Sequence, residues 1–297
     1  MFFRNLKLFR LAGEWPDDIG ESLARIPLVP CGASTMYSSG WIPPRGNPGE
    51  YVVSVAGHQL IRLGVEEKLL PASVVRIYVE DRLKDLEEKQ GFKPGRGQVR
   101  ETREAVTAEL IPKAFIKRRS THVWIDTNGR WLGIDAASFG KVDEILESIK
   151  RTFGLMPLLT LNTMDAPSSA MTQWLTTGEA PGAITIDRDC ELRSPAEEHA
   201  TVKYTRHSLD GEDIRPHLED GKRAVRLAMT WNNRISFVLT EDYFIKRLAF
   251  LDLLKDQAEE DSEVDAFEAD LSIMSGELSL MADGILSALR GEYRHET

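Results

Sequence analysis

The residues of this chain whose types and spacing could do chemistry are cations. Leu110 to Asp126 reads LIPKAFIKRRSTHVWID and sets Lys113, Lys117, Arg118 and Arg119 before the first carboxylate, Asp126. Two further groups follow, Lys203 with Arg206, and Lys222 with Arg223 and Arg226. Lys and Arg in such groups suit contacts to phosphate oxygens, which carry affinity without reading sequence. None of the groups lies on a helix-turn-helix recognition helix or is interleaved with the aromatics of a single-strand stacking platform. A solvated charged loop is the other reading of the same residues.

No catalytic constellation accompanies them. The histidines His58, His122, His199, His207, His217 and His295 show no metal-ligand spacing, and neither GxSxG nor GxxxxGK[ST] occurs. Gly91, Gly95 and Gly97 are glycine-rich and basic but lack the preceding strand and the lysine followed by Ser or Thr. The acids Asp252, Asp256, Glu259, Glu260, Asp261, Glu263, Asp265, Glu268 and Asp270 crowd one late segment. They could hold Mg²⁺ for a nuclease, but on a helical flank with no partner carboxylate from a strand they read better as a solvated face. Cys31 and Cys190 sit in no CxxC or Cys/His cluster, so a reducing compartment is expected, with no metal and no cofactor.

The bulk numbers fit a soluble globular protein. At 297 residues the chain can bury one large domain or two ordinary ones, and 42% apolar with 28% charged residues argues against disorder. No apolar run approaches the ~20 residues of a membrane span. MFFRNLKLFRLAG is broken by Arg4, Lys7 and Arg10, so it reads as a first strand rather than a secretory signal, and the protein is expected to stay in the cytoplasm. The net charge of −10 argues only weakly against a polyanionic partner, because salt screens over ~8 Å and the acids cluster elsewhere.

The elements that must position the cations can be read from period and punctuation. After Pro71, the residues Val75, Val79, Leu83 and Leu86 recur at helical spacing and stop before Gly91. Val99, Val106 and Leu110 give a second helix ending at Pro112, so 71–112 is a helical hairpin between β-rich regions. Asn128-Gly129 predicts a type I′ hairpin that sets Val123 and Ile125 on one face with Leu132 and Ile134. A helix carrying Val142, Ile145, Leu146, Ile149 and Phe153 closes at Gly154, and the strand MPLLTL follows. The same hairpin-then-helix order is expected in KRAVRLAMTWNNRISFVLTEDYFIKRLAFLDLL. A three-residue loop there pairs Trp231 with Ile235, Met229 with Phe237 and Leu227 with Leu239. It leaves Lys222, Ala224, Arg226, Ala228, Thr230 and Ser236 on an opposite face free of acids. Phe267, Leu271, Met274, Leu278, Met281, Ile285 and Leu289 predict a long last helix packed on the core.

Laid out in this way, the chain resembles the bacterial recombination-associated RdgC family over nearly its full length. The likeness lies in FFRNLKLFRL, PCGASTMYSSGWIPPRG, EEKLLP, LIPKAF followed by WID, RLAMTWNNRISFVL, IKRLAF and IMSGELSLM. It implies an α+β protein of mixed sheets with packed helices and a projecting helical hairpin, paired as a ring-shaped homodimer. Residues 1–70 with 119–165 would form a first α+β core, 71–118 the finger, and 166–297 a second α+β region ending in a long helix. The ring would encircle duplex DNA without sequence preference at the nucleoid and restrain RecA-driven recombination, without catalysis. The family's ring-closing Phe, at the tip of a finger, falls on Phe115, and the basic position before it on Lys113. A Lys-Gln pair important for DNA contact falls on Arg206 and His207, which keeps one charge and changes the second donor. An acidic adaptor acting on RecA directly, and less favourably a metal-dependent nuclease, are the rival readings.

Overall fold

The computed structural model describes residues 2–195, 200–209, 213–251 and 263–293. In chain order the elements are β1 (Leu6–Leu11), α1 (Ile19–Ala24), β2 (Tyr37–Ile42), β3 (Val53–Val55), β4 (His58–Leu69), α2 (Ala72–Gln90) and α3 (Arg96–Leu110). After a 3-10 turn at Ile111–Lys113 come β5 (Phe115–Asp126), β6 (Trp131–Ile134), α4 (Phe139–Phe153), β7 (Leu158–Thr160) and α5 (Pro167–Thr177). The rest is β8 (Ile184–Arg193), β9 (Thr201–Tyr204), α6 (Arg215–Glu219), β10 (Arg223–Trp231), β11 (Ile235–Thr240), β12 (Phe244–Phe250) and α7 (Glu263–Ala288).

The α+β class holds, but the sheets are not mixed: the named strands form one antiparallel sheet in the order β2-β4-β5-β6-β1-β12-β11-β10-β8-β9. β3 pairs with β4 and β7 with β1. β1 is the seam. Its Lys7 to Arg10 pair with Ile134 to Trp131 of β6, and Leu6 and Lys7 pair with Ile245 and Phe244 of β12. Strand alternation divides its side chains: Leu6 and Leu8 join the core beneath α5 and α7, while Phe9 and Leu11 join the core beneath α1 and α4. Helices therefore cover opposite faces of the two halves. One face of β8 to β12 is left without a covering helix among the described residues.

Local signals explain most elements. α2 ends at Gly91, whose φ of 79° is the left-handed C-cap conformation that glycine adopts without steric cost. The hairpin of α2 and α3 packs on itself through Val79, Val106 and Leu110. The β10–β11 register is the expected one: Trp231 opposes Ile235, Met229 opposes Phe237 and Leu227 opposes Leu239. Asn232 and Asn233 take positive φ in the three-residue loop.

Three local expectations fail for identifiable reasons. The β5–β6 register is as expected, but the positive φ falls on Arg130 rather than on Asn128 and Gly129, so the turn is not type I′. The turn is shaped instead by the Gly129 N–H donating to Asp126 Oδ1 at 2.8 Å. The segment after the second hairpin is the strand β12 and not a helix. Phe244, Ile245, Leu248 and Phe250 are buried around a kink at Arg247, whose φ is 52°, and that kink breaks the strict alternation that marks a strand. Finally, Ala224 faces the core. A bulge between Ala224 and Arg226 adds Val225, so the alternation that places Arg226 outward does not extend back to Ala224.

Candidate nucleic-acid interface

The sheet separates the predicted cations into two places. Between β5, which carries Lys117 to Arg119, and β8 lie five strands. Six spacings of ~4.8 Å put them about 29 Å apart. The sheet also twists by roughly 20° per strand, about 120° over that distance. Phe115, Lys117 and Arg119 share strand parity with Val123 and Ile125, hence the face that continues uncovered across β8 to β12. Arg118 points to the other face.

In the first group, Lys113 ends the 3-10 turn and its Nζ lies 3.0 Å from Glu109 on α3. Phe115 opposes Leu69 at the start of β5 and is 84% exposed. It stands where the helical hairpin returns to the sheet. The end of that hairpin is Gly91 to Gly95, where Phe92 is exposed, so Phe115 marks the root of the finger and not its tip. Lys117 opposes Glu67, and its ammonium has no ion-pair partner among the described residues. Arg118 Nε donates to Glu66 Oε1 at 2.8 Å. Arg119 is held by both oxygens of Glu144 on α4, at 2.5 and 2.6 Å, and Tyr37 Oη donates to the same carboxylate. Burial pushes the Glu144 carboxyl up, but these bonds outweigh it and hold it below its usual range. They also raise the Arg119 guanidinium. Arg119 is a strut between strand and helix, with little charge left to offer a phosphate.

In the second group, Asp189, Glu191, Lys203, Arg226 and Arg247 line one shallow cleft on the uncovered face. Lys203 opposes Glu191 across β8–β9 and is exposed. Arg226 Nη1 lies 3.6 Å from Glu191 Oε2, and Arg247 Nη1 lies 3.2 Å from Asp189 Oδ2. Arg206 has a φ of 54°, and its backbone N–H donates to Asp189 Oδ1 at 2.8 Å while the residue stays exposed. His207 packs 5.4 Å from the Tyr204 ring and has Nε2 3.5 Å from Asp213. Lys222 is largely buried, with Nζ 3.5 Å from Asp220. The expected acid-free face is thus corrected. β8 pairs with β10 and brings Asp187, Asp189 and Glu191 beside it, with Asp187 accepting from Thr230 Oγ1 at 2.9 Å. Arg247 was missed because its segment was read as helix, and the consecutive buried Phe244 and Ile245 before the kink give no alternation that would have marked a strand.

Among the described residues no group of three His, Cys, Asp or Glu could hold a metal ion, and no helix is long and apolar enough to cross a membrane. Of the acidic segment, Asp252 to Asp261 lie outside the described residues, as do His199 and His295. Cys190 is buried, and burial followed by Asp189 pushes its thiol up to about 12, so it is unreactive near neutrality. His122 Nε2 is buried without a hydrogen-bond partner, and burial followed by the Arg62 charge lowers the ring to about 4.

Comparison with known proteins adds a family. A family model described as "Putative exonuclease, RdgC" matches residues 1–292. Curated relatives named "Recombination-associated protein RdgC" align over nearly their whole length. That of Cupriavidus pinatubonensis is 46% identical over 297 residues, covering 98% of this chain and 99% of the relative. That of Dechloromonas aromatica is 45% identical over 300 residues, covering 98% of each. That of Bordetella pertussis is 43% identical over 299 residues, covering 99% of this chain and 100% of the relative.

Proposed function

This chain belongs to the RdgC family, and from that premise we propose that it is a non-enzymatic, sequence-indifferent duplex-DNA-binding protein. It acts as a ring-shaped homodimer around DNA and restrains RecA-mediated recombination, in the cytoplasm at the nucleoid. One observation carries the reading most directly. The face of β8 to β12 without a covering helix presents Lys203, Arg226 and Arg247, with the small residues Ala228, Thr230 and Ser236 on the same face of β10 and β11 and the exposed Arg206 anchored through its backbone to Asp189. Small side chains let a phosphate backbone approach a sheet closely, and cations release counterions when it does. Among the described residues no helix lines the cleft, which agrees with indifference to sequence.

The acids of β8 tune rather than cancel this surface. Glu191 and Asp189 sit at the foot of Arg226 and Arg247 and hold them in place, at the cost of part of the field. The root of the finger supplies the second element of the ring. Phe115 serves in ring closure, with Lys113 and Lys117 beside it on the phosphate side. Its exposure in the single chain supports an aromatic that seeks a partner pocket.

The test is a titration of unrelated duplexes at several salt concentrations, together with incubation of labelled plasmid with Mg²⁺. The reading requires a steep log–log salt slope, equal affinity for scrambled sequences and uncut plasmid. A flat slope or reproducible cleavage defeats it, the second outcome in favour of a nuclease.

A further inference from the structure

One edge of the sheet is open where a protein segment could add to it. β5 is a strand of 12 residues, but β6 pairs only with Val123 to Asp126. Phe115 to Thr121 pair with β4 on one side and with no strand on the other among the described residues. The alternation of an antiparallel ladder identifies the free groups. Lys68 N–H donates to Met36 O, so even-numbered residues of β4 bond toward β2 and odd-numbered ones toward β5. Opposite the odd residues Leu69, Glu67 and Val65 stand Phe115, Lys117 and Arg119. The N–H and C=O groups of Ile116, Arg118 and Ser120 therefore point away from β4. His122, next in that series, agrees: its carbonyl accepts from the Asp135 N–H at 3.0 Å. Ile116 to Ser120 is a template of about 14 Å for strand addition.

The side chains select the occupant. Ile116 is 42% exposed and the Arg118 side chain 75% exposed, while the carboxylates nearest them, Glu66 and Glu144, are largely buried. A second copy adding antiparallel about the centre of this segment would set Lys117 against Arg119 and Arg118 against itself. Arg119 is already compensated by Glu144, so the repulsion that disfavours self-pairing is that of the exposed Arg118 directly opposite its own copy. Duplex DNA offers no extended backbone to satisfy the open N–H and C=O groups. We propose that the Ile116–Ser120 edge captures an extended acidic segment of a partner protein by antiparallel strand addition. The order of that segment follows from the register: two acids, opposite Arg118 and Lys117, then an apolar residue opposite Ile116. The template is made of backbone groups that DNA binding does not use, while Lys117 serves both readings, which the N-methylated peptide and the duplex titration tell apart.

The experiment uses the full chain and a fluorescein-labelled peptide, Gly-Ser-Asp-Glu-Leu-Ser-Gly-Ser, read by anisotropy. Saturable binding is expected, weakened about tenfold when the Asp-Glu-Leu order is reversed, and by a similar factor when the Asp and Leu amides are N-methylated. Lys117→Glu should weaken it severalfold. Ile116→Pro removes an outward N–H and leaves the bonds to β4 intact, so it should weaken binding with the melting transition held. If that variant unfolds, the N-methylated peptide decides alone. Equal binding of the reversed or N-methylated peptide, or no binding, overturns the proposal. So does sedimentation in which Ile116→Pro dissociates a dimer that the peptide never displaces, which would assign the edge to a second copy. Duplex binding that depends on Lys117 with no peptide binding would assign it to nucleic acid.

Discussion

Arg118 and Glu66 face each other across β5 and β4 as an unequal pair: the guanidinium is 75% exposed, while the carboxylate that accepts from it at 2.8 Å is 3% exposed. The second oxygen of Glu66 accepts from the Cys31 N–H at 2.8 Å, so one buried carboxylate ties the finger's root to the loop before β2. Replacing Glu66 by Ala should cost about 1–3 kcal/mol, mostly through the loss of charged hydrogen bonds at a buried site. Glu66→Gln, which can still accept from Cys31, should cost less. Chemical denaturation of the two variants measures the difference, and equal losses would show that Arg118 contributes most of the effect.

Arg226 and Glu191 give a charge-sensitive test of the open face. Arg226→Ala should weaken duplex binding and lower the salt slope by about 0.9, one phosphate contact. Glu191→Gln should act in the opposite sense on affinity, since it removes a negative charge 3.6 Å from the guanidinium. Filter binding over a salt series reads both. Arg119→Ala should leave the slope unchanged and lower the melting temperature, because its charge is spent on Glu144.

Phe115→Ser should leave thermal stability nearly unchanged, as an 84% exposed ring has little burial to lose. Retention on closed circular DNA should fall far more than retention on short linear duplex, from which any ring slides. A large drop in melting temperature, or equal loss on both substrates with the dimer intact, would rule out a closure role.

His122 makes stability depend on pH in a stated direction. Its ring is lowered to about 4 from an ordinary value of 6.5, so between those values the unfolded chain binds the proton and the folded chain does not. Stability therefore rises with pH across that window, by at most about 1.4 kcal/mol per pH unit from this group, and its penalty levels off below about pH 4. His122→Asn should flatten the profile between pH 4 and 6.5. Urea midpoints taken across that range provide the check.

What residues alone determine here is what depends on neighbours in sequence. The helices of the finger, their stop at Gly91, the register of the β10–β11 hairpin and the last helix follow from period and turn chemistry, which act over a few residues. The family could likewise be read from blocks such as PCGASTMYSSGWIPPRG in order. What only the tertiary structure decided is which charges meet. Arg119 is spent because α4 places Glu144 beneath it, and the face of Arg226 carries acids because β8, remote in sequence, is its neighbour in the sheet. β12 is a strand because β1 and β11 flank it and satisfy its backbone, which overrides an ambiguous local pattern. Whether a cation is free to meet a phosphate depends on the distance to the nearest carboxylate, and that distance is set by sheet order rather than by spacing along the chain.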